Sequence, residues 1–357
     1  MADIDCHSEM KAFHKEEVTL SSAQQKDMRE RRDNGRTRLE NGLDEAEHPQ
    51  PREVRSQGSY QMRTMVQDPD NDYDIDDGAY FEKDALQGSN GAALTPLAAR
   101  QRVCDALKWD GRFKQEAEVR SNCVRQEYAA GYHIDVPVYR IVSTIAANGD
   151  KTEHFELASN DEWVKSDARR VTRWFNSIVG ELNQGESDGS QMRRVTKLSK
   201  KFARRPDWKD KTTSGICITK LVVDHFAFSE NRDDLALRNT WKAIDTKLQS
   251  STALEHPVNT ANLAEEGDEK LTFFRDCLSG ALKTLDALDQ AGVTRKEVRQ
   301  AWDEVFDTEF FSDQPDNNGG NGGNGDSGGD GPKGQGPAIS ITTGETARRN
   351  DGGGRFG

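Results

Sequence analysis

Residues 57–81 read QGSYQMRTMVQDPDNDYDIDDGAYF, and this stretch decides how the rest of the chain is interpreted. Its second half predicts a β-strand over residues 72–82. Side chains alternate between the two faces of a strand, so Asp74 and Asp76 share one face while Ile75 points into the core. Two carboxylates placed in this way repel each other. A pair of divalent cations relieves that repulsion, and two ions about 3.5–4 Å apart can clamp the reacting oxygens of a phosphoryl transfer.

A D-x-D pattern alone is more typical of a solvated acidic turn than of a metal site, and two further segments favour the metal site. The Gly58-Ser59 pair predicts a turn entering a helix, where free N–H groups and a hydroxyl can bind an anion; the alternative is an ordinary helix cap. Residues 132–144 predict a second strand, in which Asp135 supplies a third carboxylate unless it lies in a loop. Pro137 favours an edge or a bulge there because proline has no N–H to donate.

The order Gly58-Ser59, then DIDDG at residues 74–78, then IDVP at residues 134–137 resembles the cGAS-like nucleotidyltransferases. The resemblance spans about residues 55–265 and is closest to the bacterial CD-NTases, which make cyclic oligonucleotide signals, and among them to the bacterial cyclic GMP–AMP synthases. It implies an α+β fold with a nucleotidyltransferase (polymerase-beta-like) core, in which a mixed sheet is joined to a helical lobe across the active-site cleft.

The resemblance also assigns roles to particular residues. It implies that Asp74, Asp76 and Asp135 form the catalytic, metal-binding triad. Gly58 and Ser59 would contact the phosphates of the donor nucleotide. The cofactor would be two Mg²⁺ ions, with Mn²⁺ as a possible substitute. Asp77 faces the other way on the predicted strand and is not counted as catalytic.

A basic segment supplies the remaining candidate residues. Residues 191–211 carry nine bases and two acids, which indicates either a solvated helix face or a clamp for phosphates. In the resembling family, a lysine and a serine 14 residues later hold the donor triphosphate, and Lys200 and Ser214 match that pair. Lys201 is the alternative lysine. Arg125 matches a basic position on the acceptor side.

The implied function is the synthesis of a cyclic di- or trinucleotide, such as cyclic GMP–AMP, from ATP and GTP in bacterial anti-phage signalling. Two alternatives stay open: a nucleotidyltransferase that modifies a protein or small molecule, and a pseudoenzyme that only binds nucleotide. Met62 stands where an aromatic base-stacking residue is expected, so the choice of base stays open. No Cys/His cluster resembles a zinc insertion, so no DNA is required.

Composition limits the remaining possibilities. The chain has 357 residues and a net charge of −13, which argues against a protein that coats DNA without specificity. Its five cysteines contain no CxxC pair, which favours reduced thiols. Without a long apolar run or a secretory signal, we expect a cytoplasmic protein that does not enter a membrane.

Three domains are predicted: residues 1–159 form the nucleotidyltransferase core with a long N-terminal helix, residues 160–312 a helical lobe, and residues 313–357 a tail. The tail holds 15 of the 31 glycines and is predicted to be disordered. The resemblance suggests that an E1/E2-like protein conjugates its terminal Gly357, and the alternative is a tail without function.

The predicted elements follow from periodicity and capping signals. The N-terminal helix over residues 21–43 is expected to brace both lobes, and residues 44–57 are expected to form a loop. Besides the strands at 72–82 and 132–144, a strand is predicted at 117–128. The other predicted helices cover residues 95–111, 160–182, 190–204, 214–228, 233–249, 268–290 and 294–309.

Overall fold

A computed structural model of the protein describes residues 4–68, 73–108, 115–128, 131–146, 148–182, 190–208 and 210–315. Most of the predicted tail, including Gly357, lies outside these ranges. The described helices are α1 (His7–Phe13), α2 (Ser22–Glu45), α3 (Gly58–Gln61), α4 (Pro96–Lys108), α5 (Ala168–Leu182), α6 (Gln191–Ala203), α7 (Gly215–His225), α8 (Asp233–Ser250), α9 (Glu269–Asp286) and α10 (Arg295–Phe306).

The strands form one large sheet and a separate short pair. The large sheet contains β1 (Glu53–Gln57), β2 (Asp74–Glu82), β3 (Glu118–Val119), β4 (Val124–Glu127), β5 (His133–Val136), β6 (Val138–Ile145), β7 (Lys151–Ser159) and β8 (Glu162–Lys165). The short pair is β9 (Leu254–Glu255) with β10 (Asn262–Ala264). The predicted α+β fold with a mixed sheet is therefore confirmed.

Strand β2 organises the large sheet because it pairs with three other strands. It pairs with β1 in an antiparallel ladder, and in parallel with β5 and then β6. Pro137 separates β5 from β6, and its carbonyl accepts a hydrogen bond from the Ala79 N–H at 2.9 Å. Residues 132–144 were predicted as one strand with an edge or a bulge at Pro137, whereas the structure divides them there into two strands that both pair with β2. Beyond them, β4 and β3 extend the sheet past β5, while β7 and β8 extend it past β6.

Besides a small cluster around Tyr80 and Tyr139, the described residues form two large hydrophobic cores. One lies between the sheet and helices α2 and α4, with Leu43 and Val103 among its buried residues. The other is built largely from α1 and α5–α10, around residues such as Phe175 and Trp241. Hydrophobic burial at about 25 cal/mol per Å² is the main favourable term for each core.

The N-terminal segment connects the two cores, but not through the long helix predicted to do so. Buried α2 residues such as Met28 and Leu39 belong to the sheet core alone. Met10 and Phe13 of the preceding α1 pack in the helical core instead. The prediction that the long helix itself braces both lobes is therefore wrong, and the shorter α1 reaches the second core.

Two other predicted elements differ from the structure. Residues 162–165 form β8 rather than helix, so α5 begins only at Ala168. Helix α4 stabilises the β7–β8 hairpin, because the guanidinium of its Arg100 donates to the carbonyls of Ala158 and Asn160 at 2.7 Å each. Residues 53–57, predicted as loop, form β1. In both cases pairing with another strand, β7 for β8 and β2 for β1, overrides the local pattern.

Candidate active site

The three predicted acids lie together on one face of the sheet. In the parallel ladder of β2 and β5, Asp76 pairs with Asp135 and Asp74 pairs with His133. Directly paired residues point to the same face, and residues two apart on a strand share it. All three carboxylates and the His133 imidazole therefore face the same side, while the buried Ile75 between the acids of β2 faces the other.

Two of the three carboxylates already have basic partners. Asp135 is only 2% exposed and accepts two hydrogen bonds of 2.8 Å from the Arg125 guanidinium. Asp74 contacts the Nε2 atom of His133. Burial alone would raise the pKa of Asp74, but the hydrogen bond and charge of His133 outweigh it, so this pKa lies below its ordinary value. Pairing with a cation thus favours the ionised form at Asp74.

Asp76 lies in a different environment. No hydrogen bond reaches its carboxylate from the residues that the structure describes. Burial, followed by the charges of Asp74 and Asp135, raises the pKa of Asp76 to about 8. A divalent cation is the group that would compensate this carboxylate, because it reverses the effect of crowded negative charge.

The site residues fit a divalent cation in chemistry, although the side chains are not already arranged as ligands. Within the described ranges, no three His, Cys, Asp or Glu side chains surround a common point at ligand distances. The basic partners Arg125 and His133 occupy oxygens of Asp135 and Asp74. Hard carboxylate oxygens are nevertheless the donors that Mg²⁺ and Mn²⁺ prefer. Binding of a cation requires rotation of these side chains on a backbone that already places them together.

The Gly58-Ser59 turn approaches the acids closely. Gly58 follows β1 directly and has a φ of +63°, in the left-handed region that favours glycine. A Cβ atom built on Gly58 would lie 2.2 Å from Oδ2 of Asp76, so any side chain there would clash with the carboxylate. The half-buried Ser59 is the next residue, and α3 packs against β2. The predicted anion-binding turn therefore lies directly beside the Asp76 carboxylate.

Lys200 reaches the same region from the helical core. Its side chain is 5% exposed, and Nζ donates to Oγ1 of Thr64 at 3.0 Å, a few residues after α3. A Cβ atom on Gly215 would lie 3.7 Å from that Nζ, so the ammonium group is close to the start of α7, where Ser214 is the N-cap. The predicted partners Lys200 and Ser214 are therefore close in space, at a helix N-terminus that favours anions.

Lys200 is a buried basic group whose charged form a bound anion would stabilise. Burial, followed by the charges of Arg204 and Lys197, lowers the pKa of Lys200 to about 7. A triphosphate beside Nζ would favour the charged form. The alternative lysine, Lys201, is less buried, and the charges of Glu17 and Asp68 oppose part of its lowered pKa.

Asp77 and Met62 lie away from the carboxylates. Asp77 is buried on the opposite face of β2, where it accepts hydrogen bonds from Arg36 (2.5 and 2.6 Å) and from the Ser56 hydroxyl (2.8 Å). Met62 is 3% exposed and packs in the helical core, so its side chain does not line the site.

Arg125 binds Asp135, which the sequence reasoning did not foresee.

His133 and Thr64 are the neighbours that the sequence analysis missed. A signal for His133 was present, because it stands two residues before Asp135 and must share its strand face. Nothing comparable pointed to Thr64, whose contact with Lys200 joins positions 136 residues apart.

Residues 52–139 match the family described as cyclic GMP-AMP synthase DncV-like, nucleotidyltransferase domain. This range contains the Gly58-Ser59 turn and all three acids. The resemblance to the bacterial cGAS-like CD-NTases is thereby confirmed, and with it the presence of a nucleotidyltransferase domain. Nucleotidyltransferases of the DncV-like type generally depend on divalent metal ions.

Solved structures extend the similarity of fold to the helical lobe. Vibrio cholerae DncV cyclic AMP-GMP synthase, in complex with the linear intermediate 5′ pppA(3′,5′)pG, matches with a TM-score of 0.66 and 18% identity over 85% of this chain and 96% of that one. Escherichia coli DncV bound to 3′-deoxy GTP matches with a TM-score of 0.60 and 19% identity over 81% and 92%. E. coli MS115-1 CdnC with ATP matches with a TM-score of 0.62 and 16% identity over 86% and 99%.

Of the helices in the described part of the chain, none is long and apolar enough to cross a membrane. The predicted domain limits at residues 159 and 312 remain predictions.

Proposed function

We propose that this protein joins ATP and GTP into a cyclic dinucleotide, with cyclic GMP–AMP as the expected product. The observation that carries the proposal is the placement of Asp74, Asp76 and Asp135 on one face of neighbouring parallel strands, beside the Gly58-Ser59 turn. The match of residues 52–139 to the DncV-like nucleotidyltransferase domain supports it. So does the Vibrio cholerae structure, which holds a linear dinucleotide on the same fold.

In the proposed reaction, the three acids hold two Mg²⁺ ions, and Mn²⁺ would fit the same oxygens. When bound, these cations stabilise the negative charge that develops on the transferred phosphate and on the leaving pyrophosphate. The protein positions the donor nucleotide, whose triphosphate would be held by Gly58, Ser59, Lys200 and Ser214. The acceptor 3′-hydroxyl then attacks the α-phosphate in line, and most of the catalysis is positioning and charge stabilisation.

Arg125 has a different proposed task. In this structure it forms a two-pronged ion pair with Asp135. We expect it to hold the Asp135 carboxylate until a cation binds and to donate further N–H groups to the acceptor nucleotide, because a guanidinium can contact more than one anion. A linear dinucleotide would form first, turn over in the site and close in a second, equivalent step.

Incubation with Mg²⁺ and combinations of the four ribonucleoside triphosphates, followed by mass spectrometry and phosphatase treatment, tests the proposal. We expect a phosphatase-resistant cyclic dinucleotide that requires two nucleotides and the metal. The variant Asp161→Asn, which changes an exposed acid in the β7–β8 turn, is the matched control for substitutions in the triad and should retain activity. Transfer of a single nucleotide to a protein or small molecule would favour the first alternative, and binding without turnover the pseudoenzyme.

The proposal extends to biological context. We infer a role in bacterial anti-phage signalling from the resemblance to CD-NTases, with the cyclic product acting on a separate effector.

We also propose that an E1/E2-like protein conjugates the terminal Gly357. Coexpression with such a partner and intact-mass analysis should then detect a covalent adduct that disappears when the last residues are deleted, while synthesis in vitro is unchanged. A free C-terminus beside an active partner enzyme would contradict conjugation.

A further inference from the structure

A layer of polar side chains lies beside Asp76 on the same face of the sheet. Gln57, the last residue of β1, pairs directly with Asp76 in the antiparallel β1–β2 ladder. Four residues further along β2, Tyr80 faces the same side, and Tyr139 of β6 is its direct partner. Since directly paired residues have Cβ atoms about 4.5–5.5 Å apart, the Gln57 side chain neighbours the carboxylate.

These three side chains are buried and fixed. Tyr80 and Tyr139 are fully buried, and their rings stack with centroids 4.5 Å apart and planes 5° from parallel. The Tyr80 hydroxyl donates to Oε1 of Gln57 at 3.2 Å, which sets the orientation of the amide. A Cβ atom on Gly78 would lie 2.6 Å from Nε2 of Gln57 and 3.0 Å from the Tyr139 ring, so glycine at this position lets both side chains close over the strand.

Two buried polar groups in this layer, Nε2 of Gln57 and Oη of Tyr139, form no hydrogen bond of good geometry in the described part of the protein. They neighbour each other, because the Gln57 side chain acts on the Tyr139 hydroxyl and opposes part of the rise in its pKa, and the hydroxyl proton of Tyr139 has no acceptor among the described residues. Native proteins rarely leave such groups unpaired, because an unsatisfied buried donor is destabilising. Asp76, the neighbouring carboxylate, is in turn the acid of the triad that no described residue contacts by a hydrogen bond.

We propose that Tyr139 and Gln57 are positioning residues for Asp76. The Tyr139 hydroxyl donates to the Asp76 carboxylate, directly or through one ordered water, when that side chain turns toward its cations. Gln57, held by Tyr80, keeps Tyr139 in place and offers its own amide to the same cluster. This inference rests on the proposed function, because it takes Asp76 to be a metal ligand.

General chemistry and local electrostatics support this assignment. Hydrogen bonds to a ligating carboxylate fix its orientation, and loss of such an outer partner typically weakens metal binding by about 10–100-fold. Burial, and then the charge of Asp76, raises the pKa of Tyr139 well above its ordinary value, which places the hydroxyl within electrostatic reach of that carboxylate. The rival explanation is that the two tyrosines serve only as packing.

Mn²⁺ binding to the nucleotide-free protein, measured from the free-ion EPR signal, separates the two explanations. The variants are Tyr139→Phe and Gln57→Met, and Tyr128→Phe is the control because it removes a buried tyrosine hydroxyl from the sheet core. We expect about a tenfold weaker Mn²⁺ affinity for Tyr139→Phe, a weaker affinity for Gln57→Met, and no change for Tyr128→Phe. The metal-free melting temperature of Tyr139→Phe should equal or exceed that of the wild type, because an unpaired buried hydroxyl is removed.

Wild-type Mn²⁺ affinity in both Tyr139→Phe and Gln57→Met would overturn the inference, as would a wild-type chain that binds no Mn²⁺. A lower melting temperature of Tyr139→Phe with unchanged affinity would identify packing as its role. The proposed function can fail separately: if Tyr139→Phe weakens Mn²⁺ binding while the wild type makes no cyclic product, the positioning role stands and the cyclase activity does not.

Discussion

Asp74, Asp76 and Asp135 share one face of the sheet but differ in what balances their charge. Arg125 balances Asp135 and His133 balances Asp74, whereas the pKa of Asp76 is raised by burial and by its two acidic neighbours. The carboxyl group of Asp76 is therefore costly to ionise unless a cation binds beside it. Titratable groups with strongly shifted pKa values cluster at functional sites, so Asp76 is a candidate for function.

Replacement of Asp76 by Asn should remove catalysis without harming the fold. We expect synthesis to fall by at least about 10²–10³-fold, by analogy with the loss of one electrostatic stabiliser. The metal-free melting temperature should rise at neutral pH, because the substitution removes the cost of burying an ionisable carboxyl beside two other acids. Turnover assays and thermal melts check both effects. Near wild-type turnover in Asp76→Asn would contradict the metal-site assignment.

Lys200 should bind nucleotide more strongly than Lys201 does. Lys200→Met is expected to weaken binding of a nonhydrolysable triphosphate by at least tenfold, while Lys201→Met, its matched neighbour on α6, has a smaller effect. Since the pKa of Lys200 is about 7, the wild type should also take up a proton on binding at pH 8. Calorimetry in buffers of different ionisation enthalpy measures that uptake. Equal, small effects of the two variants would mean that α6 presents only a solvated basic face.

Lys200 also predicts how the metal-free protein responds to pH. Burial lowers its pKa in the folded state from 10.5 to about 7, so between these values the unfolded chain binds more protons than the folded one. The free energy of unfolding should therefore rise with pH across this window, with a contribution of up to about 1.4 kcal/mol per pH unit from this group. Urea denaturation at pH 7 and pH 9 should show that Lys200→Met flattens this rise. If the free energy of unfolding rose equally with pH in the wild type and in Lys200→Met, Lys200 would not be the group responsible for the rise.

Among the secondary-structure elements, α2 and β2 are joined by an ion pair on the side away from the acids of the site. Asp77 of β2 is buried, and Arg36 of α2 donates to both of its oxygens. The helix therefore fixes the strand that carries Asp74 and Asp76, although none of its residues was predicted to do so.

Removal of Arg36 should destabilise the protein more than loss of a surface charge does. Arg36→Met leaves the Asp77 carboxylate buried without its main partner, and we expect about 3 kcal/mol less stability by urea denaturation. Arg55→Met is the control, because this β1 arginine is 64% exposed. The double variant Arg36→Met, Asp77→Leu should recover much of the loss. A change of less than about 1 kcal/mol in Arg36→Met would show that the pair does not hold the strand.

The elements that could be predicted from sequence are those with strong local signals. The capping box at Ser21 and Gln24 is present and starts α2, and α6–α10 begin within a residue of their predicted positions. Strands β1, β7 and β8 were missed because much of their surface is exposed and they show no clear apolar alternation. Pairing defines them instead: β1 pairs with β2, while β7 and β8 form hairpins with the strands that precede them.

The candidate site was predictable to a similar extent. Strand alternation alone places Asp74 and Asp76 together, and the resemblance adds Asp135, Lys200 and Ser214. The ion pair of Arg125 with Asp135 could not be foreseen, because it depends on the register of β4 against β5. The same is true of Gln57, which belongs to a segment predicted as loop.

For the molecule as a whole, the site lies on the face of the sheet opposite the sheet core, on the side from which the helical core supplies Lys200. The sheet carries the acids on β2 and β5, and the helical core supplies Lys200, which contacts Thr64 in the segment after α3. Met62, in the same segment, is buried in the helical core. Any change in how the two cores pack should therefore alter nucleotide binding and the acidic cluster together.

In the proposed reaction this acidic cluster closes a dinucleotide ring. Simultaneous measurement of pyrophosphate release and of cyclic product by mass spectrometry tests this, with ATP, GTP and Mg²⁺, for the wild type, Asp76→Asn and Asp161→Asn. We expect two molecules of pyrophosphate for each ring in the wild type and in Asp161→Asn, and neither product in Asp76→Asn. Pyrophosphate release without a ring, or a ring formed by Asp76→Asn at the wild-type rate, would contradict it.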